Sequence, residues 1–163
     1  MDYVYIGKLV NTHGIKGEVK IISNFEFKDR VFKKNMAIYI GDNKTKEIID
    51  NYRHHKSFEM ITMNNYSNIN EVLKYKGMKV YVNRADLNLK EDEYLYQDLI
   101  GLNIKNNEKS LGKVKDVMYN NVNVFLSIIN TKEYYIPLNN HFIKRVNLND
   151  KEIEVENVEG LIL

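Results

Sequence analysis

The chain contains no cysteine. That absence excludes disulfide frameworks, thiolate zinc sites and cysteine nucleophiles together. Proline is nearly as scarce, and the single Pro137 is expected to end a strand over Tyr134–Ile136, because its nitrogen cannot donate to a ladder. No apolar run approaches the roughly 20 residues of a membrane-crossing helix. The Met1-Asp2-Tyr3 start lacks the basic and apolar regions of a secretion signal, so a cytoplasmic protein is expected. An excess of one charge is also missing: a net charge of +2 over 163 residues does not by itself announce nucleic-acid binding.

What is present points to a folded β protein. A hydrophobic content of 44% with 28% charged residues suits a chain with a real core. Short segments rich in β-branched and aromatic residues recur between Gly, Asn and charged turns: Tyr3–Val10, Glu18–Ile22, Met36–Ile40, Lys46–Ile49, Phe58–Met63 and Met78–Val82. Phe27–Lys34 can form a short helix. Asn68–Tyr75 reads as a better one, with Asn68 as N-cap, Glu71 three residues later and Gly77 as the stop. A polar, turn-rich stretch over 84–92 is the expected linker, dividing the chain into domains 1–83 and 93–163. Beyond it, Leu102–Lys105, Ser110–Met118, Val122–Ile129, Glu133–Ile136 and Glu152–Val155 continue the strand pattern. So many strands in so few residues predict an all-β fold with a few short helices, closed into two small β-barrels in tandem to avoid exposed edges.

Charge is distributed unevenly between the halves. Residues 1–85 hold 15 Lys and Arg against 9 Asp and Glu, a net +6, and residues 86–163 hold 9 against 13, a net −4. Two readings stand: scattered solvated side chains, or a basic half that faces phosphate and an acidic half that faces a basic protein.

Thr12-His-Gly-Ile-Lys-Gly17 sets two glycines between strands, where they serve a hairpin turn or bring backbone amides close to a partner. An RNA-clamping Gly-x-x-Gly loop of the KH type belongs among helices, and this one does not. A Walker-type phosphate loop fails because Glu18, not Ser or Thr, follows Lys16-Gly17. His54 and His55 are adjacent on a strand and point to opposite faces, so they do not share a metal ion readily. No supported Ser/His/Asp arrangement exists, and nothing in the sequence asks for an enzyme, a cofactor or a metal. Arg53-His-His-Lys56 is either a solvated basic strand or an RNA-facing patch. Tyr94-Leu-Tyr-Gln-Asp98 joins rings to an acid, which either caps a core or packs on the apolar stems of Lys and Arg in a basic partner. Lys113, Lys115, Lys144 and Arg145 are the remaining candidates for phosphate contact, against the alternative of ordinary solvated faces.

Two blocks, Ile6-Gly-Lys-Leu-Val-Asn-Thr-His-Gly-Ile-Lys-Gly-Glu-Val19 and Glu93-Tyr-Leu-Tyr-Gln-Asp-Leu-Ile-Gly101, resemble the openings of the two domains of the RimM family. Leu111–Val117, Tyr135–Leu138, Phe142–Val146 and Glu159–Ile162 follow in that family's order. The resemblance implies a translation-factor-like N-terminal barrel and a C-terminal PRC barrel. It also implies a non-enzymatic factor that binds the immature small ribosomal subunit near its head and supports processing of the small-subunit rRNA; with nothing resembling a coiled coil or a large apolar helix face, a monomer is expected. The implied protein partner is the small-subunit ribosomal protein numbered nineteen, with contact residues falling on Tyr94, Leu95, Tyr96 and Asp98. An rRNA contact would fall on His13, Gly14, Lys16, Gly17, Arg53, Lys56, Lys113, Lys115, Lys144 and Arg145. Three positions depart from the family pattern: Leu95 replaces a second Tyr, and Val124 and Asn147 each stand where Asp is usual. A general RNA-binding barrel of translation-factor type and a PRC-type protein-interaction module are the rival readings.

Overall fold

A computed structural model describes residues 1–120 and 122–161, which form two compact units, Met1–Glu91 and Asp92–Leu163. Ile162, the last residue of the Glu159–Ile162 block, lies outside the described residues. No helix among the described residues is long and apolar enough to cross a membrane.

The first unit is a closed barrel of strands β1 (Tyr3–His13), β2 (Glu18–Ile22), β3 (Ala37–Ile40), β4 (Thr45–His55), β5 (Phe58–Met63) and β6 (Lys79–Asn83), in the order β1-β2-β5-β4-β3-β6. Neighbours are antiparallel throughout, and β6 returns to β1 to complete the ring. The two-residue alternation of a strand explains its core: Val4, Val19, Ile21, Ile38, Ile40, Ile61, Met63, Val80 and Val82 are all nearly or wholly buried. In β1 the alternation is broken by irregularities between Tyr5 and Gly7 and between Leu9 and Asn11, which keep both Ile6 and Leu9 inside.

β1 and β4 each run for 11 residues and so extend beyond the apolar segments Tyr3–Val10 and Lys46–Ile49. Their outer ends are polar, and pairing with β2 and β5 supplies the ladder that composition alone does not suggest. A helix α1 occupies Lys28–Val31. The expected helix over Asn68–Tyr75 is instead two short 3₁₀ pieces, Ile69–Glu71 and Leu73–Tyr75. Asn68 does cap the first, accepting from the Asn70 amide at 2.8 Å, whereas the Glu71 carboxylate reaches the amide of Ser67 at 3.2 Å. Within 84–92, Arg84–Leu87 is a further 3₁₀ turn with Leu87 buried, and the compact units divide between Glu91 and Asp92.

The second unit is a six-stranded sheet of β7 (Asn103–Asn106), β8 (Lys109–Tyr119), β9 (Val124–Ile129), β10 (Glu133–Pro137), β11 (Ile143–Asn147) and β12 (Glu152–Val155), in the order β10-β9-β8-β7-β12-β11. All pairs are antiparallel except β12 with β7. Among the described residues no ladder joins β10 to β11, the two ends of this order. β11 is a strand the apolar pattern did not single out. It has partly buried Ile143 and Val146 around the exposed Lys144 and Arg145. Pro137 belongs to its strand rather than following it, a position open to proline because β10 is an edge. Leu99, Leu102, Ile104, Val114, Leu126, Ile128, Ile136 and Ile153 form the centre of this unit's core.

Candidate functional site

In the first unit the hairpins β1–β2 and β4–β5 carry the residues of interest. The loop Gly14–Gly17 joins β1 to β2, with Gly14 and Gly17 at φ of +69° and +93°. At Gly17 a side chain would also stand 3.2 Å from the Tyr66 carbonyl oxygen, so the loop can lie against the 66–69 segment only with glycine there. The Ile69 amide donates to the Ile15 carbonyl at 2.9 Å and ties that contact. The pinned backbone leaves Ile15 (76% exposed) and Lys16 in solvent.

Two neighbours in sequence face different partners. His54 Nδ1 lies 2.9 Å from Oε1 of the buried Glu59, which also accepts from the Tyr52 hydroxyl at 2.8 Å. Burial, assisted by Glu59, pushes the Tyr52 phenol up to about 12. His55 instead approaches His13, with ring centroids 6.0 Å apart. Arg53, Lys56, His13 and Lys20 all act on His55, and its pKa is held below the ordinary 6.5 first by desolvation and then by those cations. Lys20 also lies over the Phe58 ring at 5.1 Å. The two hairpins thus gather His13, Lys20, Arg53, His55 and Lys56 into one basic cluster, with Lys16 in the loop beyond His13.

The sequence displays His55 within Arg53-His-His-Lys56 but gives no sign that Lys20 joins the cluster. The alternation along β4 could have signalled that His55, not His54, shares the outer face with Arg53. Arg53 itself is not a free cation. Its guanidinium donates to both oxygens of Glu18, at 2.9 and 2.7 Å, and this pairing lowers the Glu18 carboxyl below its usual range. As a phosphate ligand Arg53 would have to leave Glu18, so Lys16, Lys20 and Lys56, with no carboxylate partner among the described residues, and His13 and His55 are better placed for an anion.

The lowered His55 gives a testable pH dependence. Were a phosphate to bind here it would favour the imidazolium, so binding would take up a proton and affinity for a phosphate-bearing ligand such as RNA should rise as pH falls through and below the ordinary imidazole range. His55→Gln should remove that part of the rise. Anisotropy titrations at several pH values check it, and an identical pH profile in the variant would refute the contact.

In the second unit the opening turn is built around Leu95 and Leu99, both fully buried. Residues Tyr96–Leu99 form a 3₁₀ turn, capped because Asp98 Oδ2 accepts from the Leu95 amide at 2.9 Å while the Asp98 amide donates to the Leu95 carbonyl at 2.9 Å. Tyr94 and Tyr96 pack part of each ring on the second unit's core and expose the remainder. Burial raises the Tyr94 phenol above its ordinary value, with a smaller contribution from Tyr96 beside it. Two corrections follow. Leu95 offers no surface to a partner, since an apolar side chain in this turn is drawn inside, and Asp98 serves first to hold the turn. The aromatic surface of this segment belongs to Tyr94 and Tyr96, both partly exposed, with the exposed Gln97 beside them.

The other expected phosphate contacts are dispersed. Lys113 and Lys115 lie on β8, whereas Lys144 and Arg145 lie on β11, with β7 and β12 between them in the sheet. Carboxylates stand close to three of them, Glu133 to one and Glu154 to two. Lys115 is 3.4 Å from Glu133, Arg145 stands opposite Glu154 in register at 3.0 Å, and Lys144 is 3.6 Å from the same carboxylate. Only Lys113 among these four has no carboxylate partner among the described residues. They do not form one basic site. Asn147, where Asp was the usual residue, closes its turn with both amide atoms: it donates to Asp150 Oδ2 at 2.9 Å and accepts from the Asp150 amide at 3.0 Å.

The fold defines a two-unit, all-β protein, with a basic hairpin cluster on one unit and partly exposed tyrosines at the opening of the other. Comparison with known proteins makes this particular. Residues 4–87 match the RimM N-terminal domain and residues 96–161 match the RimM PRC barrel domain. A ribosome maturation factor RimM from Oceanobacillus iheyensis is 36% identical over 163 residues, covering 96% of this chain and 95% of its own. That of Staphylococcus epidermidis is 35% identical over 164 residues, covering 98% of each. The solution structure of the N-terminal domain of RimM from Thermus thermophilus aligns with 55% of this chain and 98% of its own, at 16% identity and a TM-score of 0.47. The chain belongs to the RimM family of ribosome maturation factors.

Proposed function

We propose that this protein acts without catalysis, by binding the immature small ribosomal subunit near its head and favouring the rRNA arrangement from which processing and protein addition proceed. The observation that carries the proposal is the basic cluster. His13, Lys20, His55 and Lys56 come from segments far apart in sequence, meet on two hairpins, and have Lys16 displayed beside them on a loop pinned at Gly17. A cluster of that sign suits rRNA phosphates. The tyrosine turn of the second unit suits a basic ribosomal protein, and the family resemblance points to protein nineteen of the small subunit.

Two modest contacts on one chain reinforce each other, because binding of either raises the local concentration of the other. Such a factor shifts a flexible rRNA region toward one arrangement only by binding that arrangement more tightly. It is displaced when maturation removes one of the contacts. The division of charge between residues 1–85 and 86–163 agrees with this use.

The test is sedimentation of cell extract through a sucrose gradient with detection of this protein in each fraction. Enrichment on free small subunits and absence from mature ribosomes is the expected outcome. A signal confined to the soluble fractions, with free small subunits present, would overturn the proposal. Lys16→Gln combined with Lys56→Gln should move the protein from the subunit fractions toward the top.

A further inference from the structure

The outer face of the first barrel carries a row of rings of which Tyr39 is buried at 6% exposed, whereas Tyr81 is half-buried and Tyr3 and Tyr5 are exposed. Strand register sets Tyr5 opposite Tyr81, Tyr81 opposite Tyr39, and Tyr39 opposite Lys46, so one row crosses β1, β6, β3 and β4. Tyr3 joins the row edge-on, 5.2 Å from Tyr39 and 6.5 Å from Tyr81 between ring centroids, and Tyr5 is 6.0 Å from Tyr81. Large rings would normally be hidden in such a cluster, yet Tyr3 and Tyr5 are 37% and 43% exposed.

Cations accompany the rings. Lys44 Nζ is 4.2 Å from the Tyr81 centroid and 5.6 Å from that of Tyr3, and Lys79 Nζ is 5.9 Å from Tyr5. Lys8, exposed, lies opposite Lys79 in register. Among the described residues none of Lys8, Lys44, Lys46 and Lys79 has a carboxylate partner. Beside Tyr81 a groove of about 650 Å³ opens, lined by Asn43, Lys74, Met78 and Lys79, with the carboxylate of Asp42 also on its wall.

We propose that this face is a second nucleic-acid contact, a platform on which unpaired RNA bases stack. Ring faces offer stacking to any base, and ammonium groups held over those rings are placed to move onto the phosphates when a base takes the ring. An acidic peptide would satisfy the lysines but leave the rings without planar partners. A duplex would satisfy the lysines and hide its base faces. The geometry therefore selects single strands, and the choice of RNA rests on the ribosomal reading above. The groove beside Tyr81 gives the chain a path off the row and room for a base turned out of the stack.

The probe is a labelled, unstructured RNA of about 12 nucleotides, free or annealed to its complement, titrated into the full chain by anisotropy at several salt concentrations. The free strand should bind more tightly than the duplex. Tyr3→Leu with Tyr5→Leu keeps the apolar bulk and removes the rings. It should weaken the single strand about tenfold and leave the salt slope unchanged. Lys44→Gln with Lys79→Gln should instead reduce the slope of log affinity on log salt by about one to two. Equal affinity for the two RNA forms, or unchanged single-strand affinity in a folded tyrosine variant, would overturn the platform. The hairpin variant Lys16→Gln with Lys56→Gln should weaken both forms alike, so failure of the hairpin reading is separable from failure of this one.

Discussion

Replacing Gly112 with alanine should lower the melting temperature of this protein by roughly 10 °C or more, the largest effect expected of any single methyl group added to it. Gly112 lies in β8 with φ of +126°, a conformation that L side chains rarely adopt. An added Cβ would stand 2.5 Å from the Ile129 carbonyl oxygen and 3.1 Å from its carbon. Those are atoms of the neighbouring strand β9, where Lys113 pairs with Ile129. A side chain in the way could rotate, but a paired backbone cannot without breaking its ladder. Strain at the dihedral and overpacking against the strand together amount to about 2–5 kcal/mol. That is a large part of the roughly 5–15 kcal/mol by which whole domains are stable. Gly101 supplies the control, since it has φ of +88° and nothing within 4 Å of an added Cβ. Gly101→Ala should cost only about 1 kcal/mol. Thermal melts followed by far-UV circular dichroism decide between them. Equal losses in the two variants would mean that the close approach of β8 to β9 is unimportant.

If the proposed function is right, Tyr94→Ala combined with Tyr96→Ala should weaken binding to the proposed basic ribosomal partner by at least about tenfold, because partly exposed rings in a fixed turn are the type of residue that dominates interfaces. The Asp98 cap and the buried Leu95 and Leu99 hold the turn independently of both rings. Both rings also pack on the core of the second unit, so some stability is lost with them. Tyr94→Phe with Tyr96→Phe separates the effects: it keeps the packing and removes only the hydroxyl groups. Calorimetric titration with the ribosomal protein measures the change. An alanine variant that is folded and binds with unchanged affinity would remove these tyrosines from the interface. Leu95→Ala is a contrasting case, expected to cost about 2–5 kcal/mol of stability through the cavity it leaves.

Much of the architecture was legible because strand residues alternate between core and solvent. Val19 and Ile21, or Val80 and Val82, declare an inward face without reference to any neighbour. Where a strand had no apolar pair to declare it, the reading fell short. The polar end of β4 from Asn51 to His55 and the half-exposed β11 are strands because their partners supply ladder bonds. Asn68–Tyr75 has an N-cap that a sequence displays, yet it is pinned at both ends, by the Ile69 amide on Ile15 and by the Gly77 amide on the Leu9 carbonyl at 2.7 Å. Eight residues held between those contacts wind as two 3₁₀ pieces rather than one helix.

The candidate sites divide in the same way. The Gly14–Gly17 loop, the tyrosines of the second unit and the family itself are local or ordered features, so the amino-acid sequence by itself determined them, together with the all-β class and the absence of any cysteine chemistry. Which charges remain available was decided only by tertiary structure. Glu18 and Arg53 are 35 positions apart and joined by two hydrogen bonds, and His13 meets His55 across the two hairpins. Glu47, on an otherwise ordinary strand, is buried under Asn64 and Tyr66, which donate to it at 2.6 and 3.2 Å. A period of two tells which face a residue takes. It carries no information about which residue of another strand will stand opposite, and that depends on barrel closure, register and the irregularities within β1 and β4.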